Sequence, residues 1–241
     1  MFKSAAPSNR RHILLGSVAF SFVLASGSSA KTIRGALPWE PRTAYPPNPV
    51  KSGKWVYFTQ EEAVTVETLV DHIIPPDEYS IGGKEAGCAT FIDRQLAGPY
   101  GNSEFLYMRG PFANGTAQQG YQSNLAPAAR YRQSLKSLSA YVQENFGGKN
   151  VSALSPADVN SVLSGLESGK IQLVGADTKA FFALLLKDTR EGFFSDPIYG
   201  GNKGMASWKM IGFPGARYDL RDWVHRHNEK YPLEPVSIAG F

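Results

Sequence analysis

The hydrophobic positions of this 241-residue chain recur mostly at helical spacing. Thr59 and Glu62 form a capping box, in which each side chain accepts a hydrogen bond from an otherwise unpaired backbone N–H. Apolar residues then recur every three or four positions until Pro75 and Pro76: Val66, Leu69, Val70, Ile73 and Ile74. This spacing predicts a helix that ends before the proline pair.

Four further segments carry the same periodicity. One runs from about Lys84 to Leu96, two begin where Pro127 and Pro156 suit the first helical turn, and one begins at about Asp177. Their predicted inward residues are Cys88, Ala89, Ile92 and Leu96; Tyr131, Leu135, Leu138, Val142 and Phe146; Val159, Val162, Leu163 and Leu166; and Ala180, Phe181, Leu184 and Leu185. No alternation of period two lasts long enough to predict a strand, and there are no internal repeats. The fold class is therefore mainly α.

Three regions lack a sustained period. Residues 31–57 contain five prolines and are predicted to form an extended arm. Residues 98–126 are rich in Gly, Asn and aromatic residues and are long for a connection, which indicates a functional or docked loop. The stretch from Glu191 to Gly215 holds six glycines, five aromatic residues and two prolines. The predicted organisation is thus an N-terminal arm followed by one irregular helical domain, residues 58–241, with long Gly-, Pro- and aromatic-rich loops.

The first thirty residues have the layout of an export signal. The pair Arg10 and Arg11 precedes the mostly apolar run 13–25, and small residues ending at Ala30 follow. The run is too short for a permanent membrane span. A twin-arginine signal directs already folded proteins across the membrane. We expect twin-arginine export with cleavage after Ala30; an ordinary secretory signal and a retained N-terminal anchor are the alternatives.

The charge of the chain excludes some partners. Removal of residues 1–30 removes Lys3, Arg10 and Arg11 and no acid, which leaves 22 basic and 21 acidic residues and lowers the net charge from +4 to +1. With no run of Lys or Arg, nothing indicates nucleic acid or anionic lipid as a partner. The single cysteine, Cys88, excludes an intramolecular disulfide.

The sequence shows no cofactor motif. One cysteine cannot supply Cys-x-x-Cys-His for haem or the thiolates of an iron–sulfur cluster, and no dinucleotide, P-loop or nucleophile-elbow spacing is present. His225 and His227 stand two apart and would not share a metal on a helix. His72 with neighbouring acids is either a carboxylate–histidine site or part of the Pro-Pro turn. Glu191 and Asp196 are the acids that a carboxylate-dependent hydrolase would use.

An ordered series of motifs resembles the small subunit, called subunit 3 or gamma, of gluconate 2-dehydrogenase and related membrane-bound sugar and sugar-acid dehydrogenases. The motifs are YFTQEEAVTVETLVDHIIPPDE (57–78), GGKEAGCATFIDRQLAGPYG (82–101), RGPF (109–112), QQGYQ (118–122), EGFFSDPIYGGNKGMASWKMIGFPGARYDLRDWV (191–224) and PVSIAG (235–240). The resemblance covers nearly the whole chain after residue 30.

The resemblance implies a three-part complex on the periplasmic side of the inner membrane. A large subunit would hold FAD and oxidise a substrate alcohol, and a multihaem cytochrome c would pass electrons to quinone and anchor the assembly. The small subunit would hold no cofactor and no catalytic residue. Its twin-arginine signal would engage the twin-arginine translocase and carry the folded flavin subunit across the membrane.

On this interpretation the stretch 191–215 is a contact surface, because its aromatic residues suit interface anchors and its glycines allow close backbone approach. The predicted interface residues are Phe193, Phe194, Tyr199, Gly200, Gly201, Asn202, Lys203 and Trp208. The competing interpretation is that some of these aromatic residues fill the chain's own core. Two other functions stay open: an exported hydrolase that uses Glu191 and Asp196, and a periplasmic module that binds sugar acids.

Overall fold

The computed structural model describes residues 48–51, 53–113, 115–120 and 122–240. The predicted export signal, with Arg10, Arg11 and Ala30, lies outside the described residues. Within them the chain forms six α-helices: α1 Gln60–Ile73, α2 Cys88–Leu96, α3 Pro127–Asn145, α4 Pro156–Ser168, α5 Thr178–Phe194 and α6 Ala206–Ile211. The described part has no β-strand, only an isolated parallel bridge between Gly215 and Val236. The prediction of a mainly α fold is confirmed.

The helix boundaries follow the local signals in the sequence. Thr59 caps α1 in the predicted capping box. Ser155 accepts a hydrogen bond from a backbone N–H of α4, and Asp177 accepts one from a backbone N–H of α5. Pro127 and Pro156 open α3 and α4. The predicted start of α2 at Lys84 is wrong: residues 83–87 form turns and α2 begins at Cys88.

Helix α5 is the centre of the packing. It contacts α1, α2, α3, α4 and α6, and its inward residues Phe181 and Leu185 are fully buried. The core around it contains the predicted inward faces of α1 to α4, among them Leu69, Ile92, Tyr131, Leu138 and Leu166. Ala180 and Phe146, also predicted to face inward, are only half-buried. In the described part of the chain, none of the helices has both the length and the apolar composition of a membrane span.

The described end of the arm lies against the packed helices α1 to α6, which we call the helical body. The backbone N–H of Val50 donates a hydrogen bond to the carbonyl oxygen of Ile198 at 2.8 Å. Buried Asp93, on α2, accepts hydrogen bonds from the consecutive backbone N–H groups of Val56, Tyr57 and Phe58 at 2.9, 3.0 and 2.9 Å. The carboxylate of Asp93 therefore fixes the chain where it enters α1.

Candidate partner interface

Asn202 organises the stretch between Glu191 and Gly215. It is fully buried and has a left-handed backbone, with φ of 44°, which Asn tolerates better than most residues. Its amide nitrogen donates to the carbonyl oxygen of Ser195 at 2.9 Å, and its amide oxygen accepts from the backbone N–H and the hydroxyl of Ser207 at 3.0 and 2.8 Å. Asn202 thus joins the end of α5 to the beginning of α6.

The glycines of this stretch bring segments of the same chain together. A Cβ on Gly201 would lie 2.1 Å from the carbonyl oxygen of Gly192, and one on Gly87 would lie 2.5 Å from that of Gly200. The backbone N–H of Lys203 donates to the carbonyl oxygen of Ala86 at 3.1 Å. The Gly-Gly-Asn segment therefore packs closely on the end of α5, where a side chain at Gly201 has no room, and on the turn before α2, where a side chain at Gly87 has none.

Trp208 lies beneath the surface formed by α6. Only 6% of its surface is exposed, and its indole N–H donates to the carbonyl oxygen of Phe194 at 2.9 Å. The ring of Phe213 packs edge-on against Trp208, with ring centroids 5.2 Å apart, and Phe193 lies in the core of the helical body. Trp208 therefore connects Phe194, at the end of α5, with Phe213 from within this chain.

The predicted interface residues divide by exposure. Phe193, Gly201, Asn202 and Trp208 are buried in the chain itself, Tyr199 and Gly200 are half-buried, and Phe194 and Lys203 are exposed. Three exposed apolar side chains that the prediction did not include lie near Trp208 in sequence: Met210, Ile211 and Phe213. We call Phe194, Met210, Ile211 and Phe213 the apolar rim. Binding of a partner at these residues stays a prediction.

A second exposed apolar segment lies between α2 and α3. In the loop 104–113, which we call the aromatic loop, Phe105 is 86% exposed and Tyr107 82% exposed, with Leu106 between them. Its base is fixed: a Cβ on Gly101 would lie 1.9 Å from the carbonyl oxygen of Leu96. The unusual length and aromatic content of residues 98–126 are the sequence signals that mark this region.

Two buried carboxylates were missed by the sequence analysis. Asp93 accepts the three backbone hydrogen bonds described above and forms an ion pair with Arg94. Asp188, on α5, accepts from the hydroxyls of Tyr100 and Tyr131 at 2.8 and 3.0 Å. Burial outweighs these hydrogen bonds and raises the pKa of Asp188 above its ordinary value. An acid on the inward face of a helix was the available signal for both.

The carboxylates of the hydrolase alternative have structural partners. Asp196 is buried and accepts hydrogen bonds from the backbone N–H groups of Ile198 and Ile238 at 2.9 and 2.7 Å and from the hydroxyl of Ser237 at 2.9 Å. Glu191 is exposed and lies 3.1 Å from the ammonium nitrogen of Lys187, one helical turn away. These contacts fix the C-terminal segment and the surface of α5.

The other candidate residues also have local explanations. Asp77 accepts from two backbone N–H groups of the turn after Pro75-Pro76, and His72 lies 2.9 Å from the side-chain oxygen of Asn160 on α4. Burial raises the pKa of the Cys88 thiol to about 12, which suits a small apolar core residue. Among the residues with described positions, no group of three or more His, Cys, Asp or Glu is placed to hold a metal ion.

A family model described as gluconate 2-dehydrogenase subunit 3 matches residues 60–215, well over half of the chain. The chain belongs to this family. The resemblance stated from the motifs is thereby confirmed. No curated protein and no solved structure matches the chain.

Membership of the gluconate 2-dehydrogenase subunit 3 family implies that the chain is part of a multi-subunit dehydrogenase complex. The matched residues contain all six helices, the aromatic loop and the apolar rim. The match ends at Gly215, where the isolated bridge to Val236 begins. Residues 216–240 follow the matched range, although two of the motifs that carry the resemblance, 191–224 and 235–240, extend into them.

Proposed function

We propose that this chain is the noncatalytic small subunit of a periplasmic, FAD-dependent dehydrogenase of the gluconate 2-dehydrogenase type. It binds the folded flavin subunit, carries it through the twin-arginine translocase, and stabilises it in the assembled complex. A multihaem cytochrome c is the third component. FAD and haem c belong to those partner subunits, and this chain contributes binding surface and the export signal.

The observation that carries the proposal is the apolar rim. Phe194, Met210, Ile211 and Phe213 are between 40% and 58% exposed, and two of them, Phe194 and Phe213, contact the buried Trp208. Exposed apolar side chains on a preformed support lose little conformational freedom on binding, so more of the burial free energy appears as affinity. An interface needs such apolar anchors at its centre.

The support beneath the rim is consistent with a rigid docking surface. Asn202 and Trp208 tie α6 to the end of α5 through the hydrogen bonds to Ser195 and Phe194. A chain that must hold a folded partner during export needs a surface that forms without the partner. The twin-arginine pathway accepts folded cargo, so one signal on the small subunit suffices for both chains.

The experiment that tests export compares periplasmic holoenzyme in three strains that produce the flavin subunit. The first has the wild-type chain, the second has Arg10→Lys with Arg11→Lys, and the third lacks the chain. We expect periplasmic dehydrogenase activity with an artificial electron acceptor only in the first. Lys3→Gln, which changes a charge outside the arginine pair, is the matched control and should retain export. Equal periplasmic activity in all three strains would contradict the proposal.

The experiment that tests binding uses the purified chain and flavin subunit. Ile211→Asp places a charge in the apolar rim and should raise Kd by about 10- to 100-fold, because the charge loses hydration when the surface is covered. Val174→Asp is the control, since Val174 is equally apolar and 89% exposed but lies on the turn between α4 and α5. Titration calorimetry measures both. Equal affinities of the two variants would contradict an interface at the rim.

A further inference from the structure

The C-terminal segment leaves the helical body and returns to it. Gly215 and Val236 form the parallel bridge, in which the backbone N–H of Ala216 donates to Val236 and that of Val236 donates to Pro214, at 2.6 and 3.2 Å. A Cβ on Gly215 would lie 2.2 Å from the carbonyl oxygen of Val236, so the closure requires glycine. We call residues 216–235 the excursion.

A second contact holds the returning end. Buried Asp196, just after α5, accepts hydrogen bonds from the Ser237 hydroxyl and the Ile238 backbone N–H. The excursion is therefore closed at its base by the bridge and by a carboxylate that belongs to the helical body. In sequence, Asp196 follows Phe194 by two positions, and Gly215 follows Phe213 by two positions. Both contacts therefore lie next to residues of the apolar rim.

The excursion has a small packed centre of its own. The rings of Trp223 and Tyr231 pack edge-on with centroids 5.1 Å apart, and the guanidinium groups of Arg226 and Arg217 lie 4.7 and 5.4 Å from those two rings respectively. These contacts join the two limbs of the excursion without burying its other apolar side chains. Tyr218 is 72% exposed, and Val224 and Leu233 are more than half exposed.

A cavity of about 400 Å³ lies between the excursion and α6. Its lining includes the apolar side chains of Trp208, Phe213 and Leu233 and the charged side chains of Lys209, Lys230 and Glu234. Eight apolar side chains in or beside α6 and the excursion are at least 38% exposed: Met210, Ile211, Phe213, Tyr218, Leu220, Val224, Leu233 and Ile238.

The charges of the excursion indicate what kind of partner it fits. It holds four basic and four acidic residues, and Arg221 with Asp219 and Arg226 with Glu229 form ion pairs within it. A surface whose charges are balanced internally does not attract a polyanion or an anionic membrane. It fits a protein surface with apolar side chains, one of which can enter the cavity.

We propose that the excursion is a docking element for the flavin subunit. Together with α6 it forms one interface, which includes the cavity between the excursion and α6. This inference rests on the proposed function. The excursion follows the matched residues 60–215, and it supplies contacts in addition to those of the apolar rim.

The test measures the affinity of the full chain for the purified flavin subunit by calorimetry. The variant Tyr218→Ser, Leu220→Ser and Val224→Ser leaves Trp223 and Tyr231 in place. We expect its Kd to rise by about 100-fold, because three apolar contacts are lost. Val174→Ser is the matched control and should bind like wild type. Val224→Asp is a second, single-residue variant in which the packed centre is also retained.

The outcomes separate the two proposals. If wild type fails to bind the flavin subunit, the proposed function fails. If wild type binds and both excursion variants bind equally well, the docking role of the excursion is overturned while the proposed function stands. Light scattering of the chain alone gives the remaining outcome: a dimer that the triple variant abolishes would assign this surface to a second copy and overturn the inference.

Discussion

The helical body and the excursion contain similar aromatic and aliphatic residues but place them differently. In the body, Tyr131, Phe181 and Leu185 are fully or almost fully buried around α5, and two buried carboxylates bind the surrounding segments. In the excursion, Tyr218 and Val224 are mostly exposed, and the packed centre is a single pair of rings. On our proposal, the difference separates residues that stabilise the chain from residues that bind the flavin subunit.

This comparison predicts two classes of variant. Changes in the body should lower the free energy of unfolding of the isolated chain, whereas changes in the excursion or the apolar rim should lower affinity and leave stability nearly unchanged. The aromatic loop belongs to the second class by its exposure, although it lies within the matched family region. The predictions below test this separation in order of decreasing expected effect.

The largest effect is expected for Asp93→Ala. The substitution removes the acceptor of three backbone N–H groups and the charged partner of Arg94, and should lower the free energy of unfolding by about 3–5 kcal/mol. Urea denaturation of the isolated chain measures it. Glu61→Ala, which changes an exposed acid on α1 of the same body, is the control and should cost less than about 0.5 kcal/mol. A small loss for Asp93→Ala would show that the arm is not fixed by this carboxylate.

Trp208→Ala tests the boundary between the two classes. Because Trp208 is buried and also supports the apolar rim, the substitution should lower the free energy of unfolding by about 3 kcal/mol and weaken binding of the flavin subunit as well. Thermal unfolding and calorimetry measure the two effects. Tyr199→Ala, at a half-buried position, is the comparison variant. If both variants destabilise the isolated chain and leave the complex intact, these residues serve only the core.

Asp188 should make the stability of the body depend on pH. Burial raises its pKa in the folded chain above the ordinary 3.8, so the folded state binds the proton more tightly than the unfolded state. The stabilising contribution of Asp188 is then present below pH 3.8 and declines as the pH rises from there through the raised pKa. Asp188→Asn removes this titration.

The measurement for Asp188 is the free energy of unfolding of wild type and Asp188→Asn from pH 3 to pH 8. The stability of wild type relative to the variant should fall as the pH rises. An increase with pH would mean that the hydrogen bonds from Tyr100 and Tyr131 outweigh burial and hold the pKa low.

The smallest effect is expected for Glu191→Gln. Glu191 is exposed and its ion pair with Lys187 lies one turn along α5, so the free energy of unfolding should change by less than about 0.5 kcal/mol. Dehydrogenase activity of the assembled complex should also be unchanged. Hydrolytic turnover by the purified chain that disappears in this variant would instead support the hydrolase alternative.

Much of the body could be predicted from the sequence because its signals are local. The capping box at Thr59, the prolines that open α3 and α4, and the periodicity of α1 to α5 each depend on residues within one or two turns. The motif series likewise identified the family that the family model confirms. The start of α2 was the exception, since Gly87 has a left-handed backbone that close packing against Gly200 favours.

The roles of the polar residues could not be predicted in the same way. Asp93 accepts hydrogen bonds from residues 35 to 37 positions away, and Asp188 from tyrosines 57 and 88 positions away, so no local pattern reveals their partners. The same holds for Asp196, which accepts hydrogen bonds from Ser237 and Ile238, 41 and 42 positions later in the sequence. Such contacts exist only once the helices have packed.

The sequence alone determined the helical content, the family and the composition of the stretch from Glu191 to Gly215. The tertiary structure decided which of those aromatic residues are buried: Phe193 and Trp208 lie inside, and Phe194 and Phe213 are partly exposed. It also decided that Gly215 and Asp196 close the base of the excursion. Exposure depends on which distant segments cover a side chain, and hydrophobic periodicity within one segment does not contain that information.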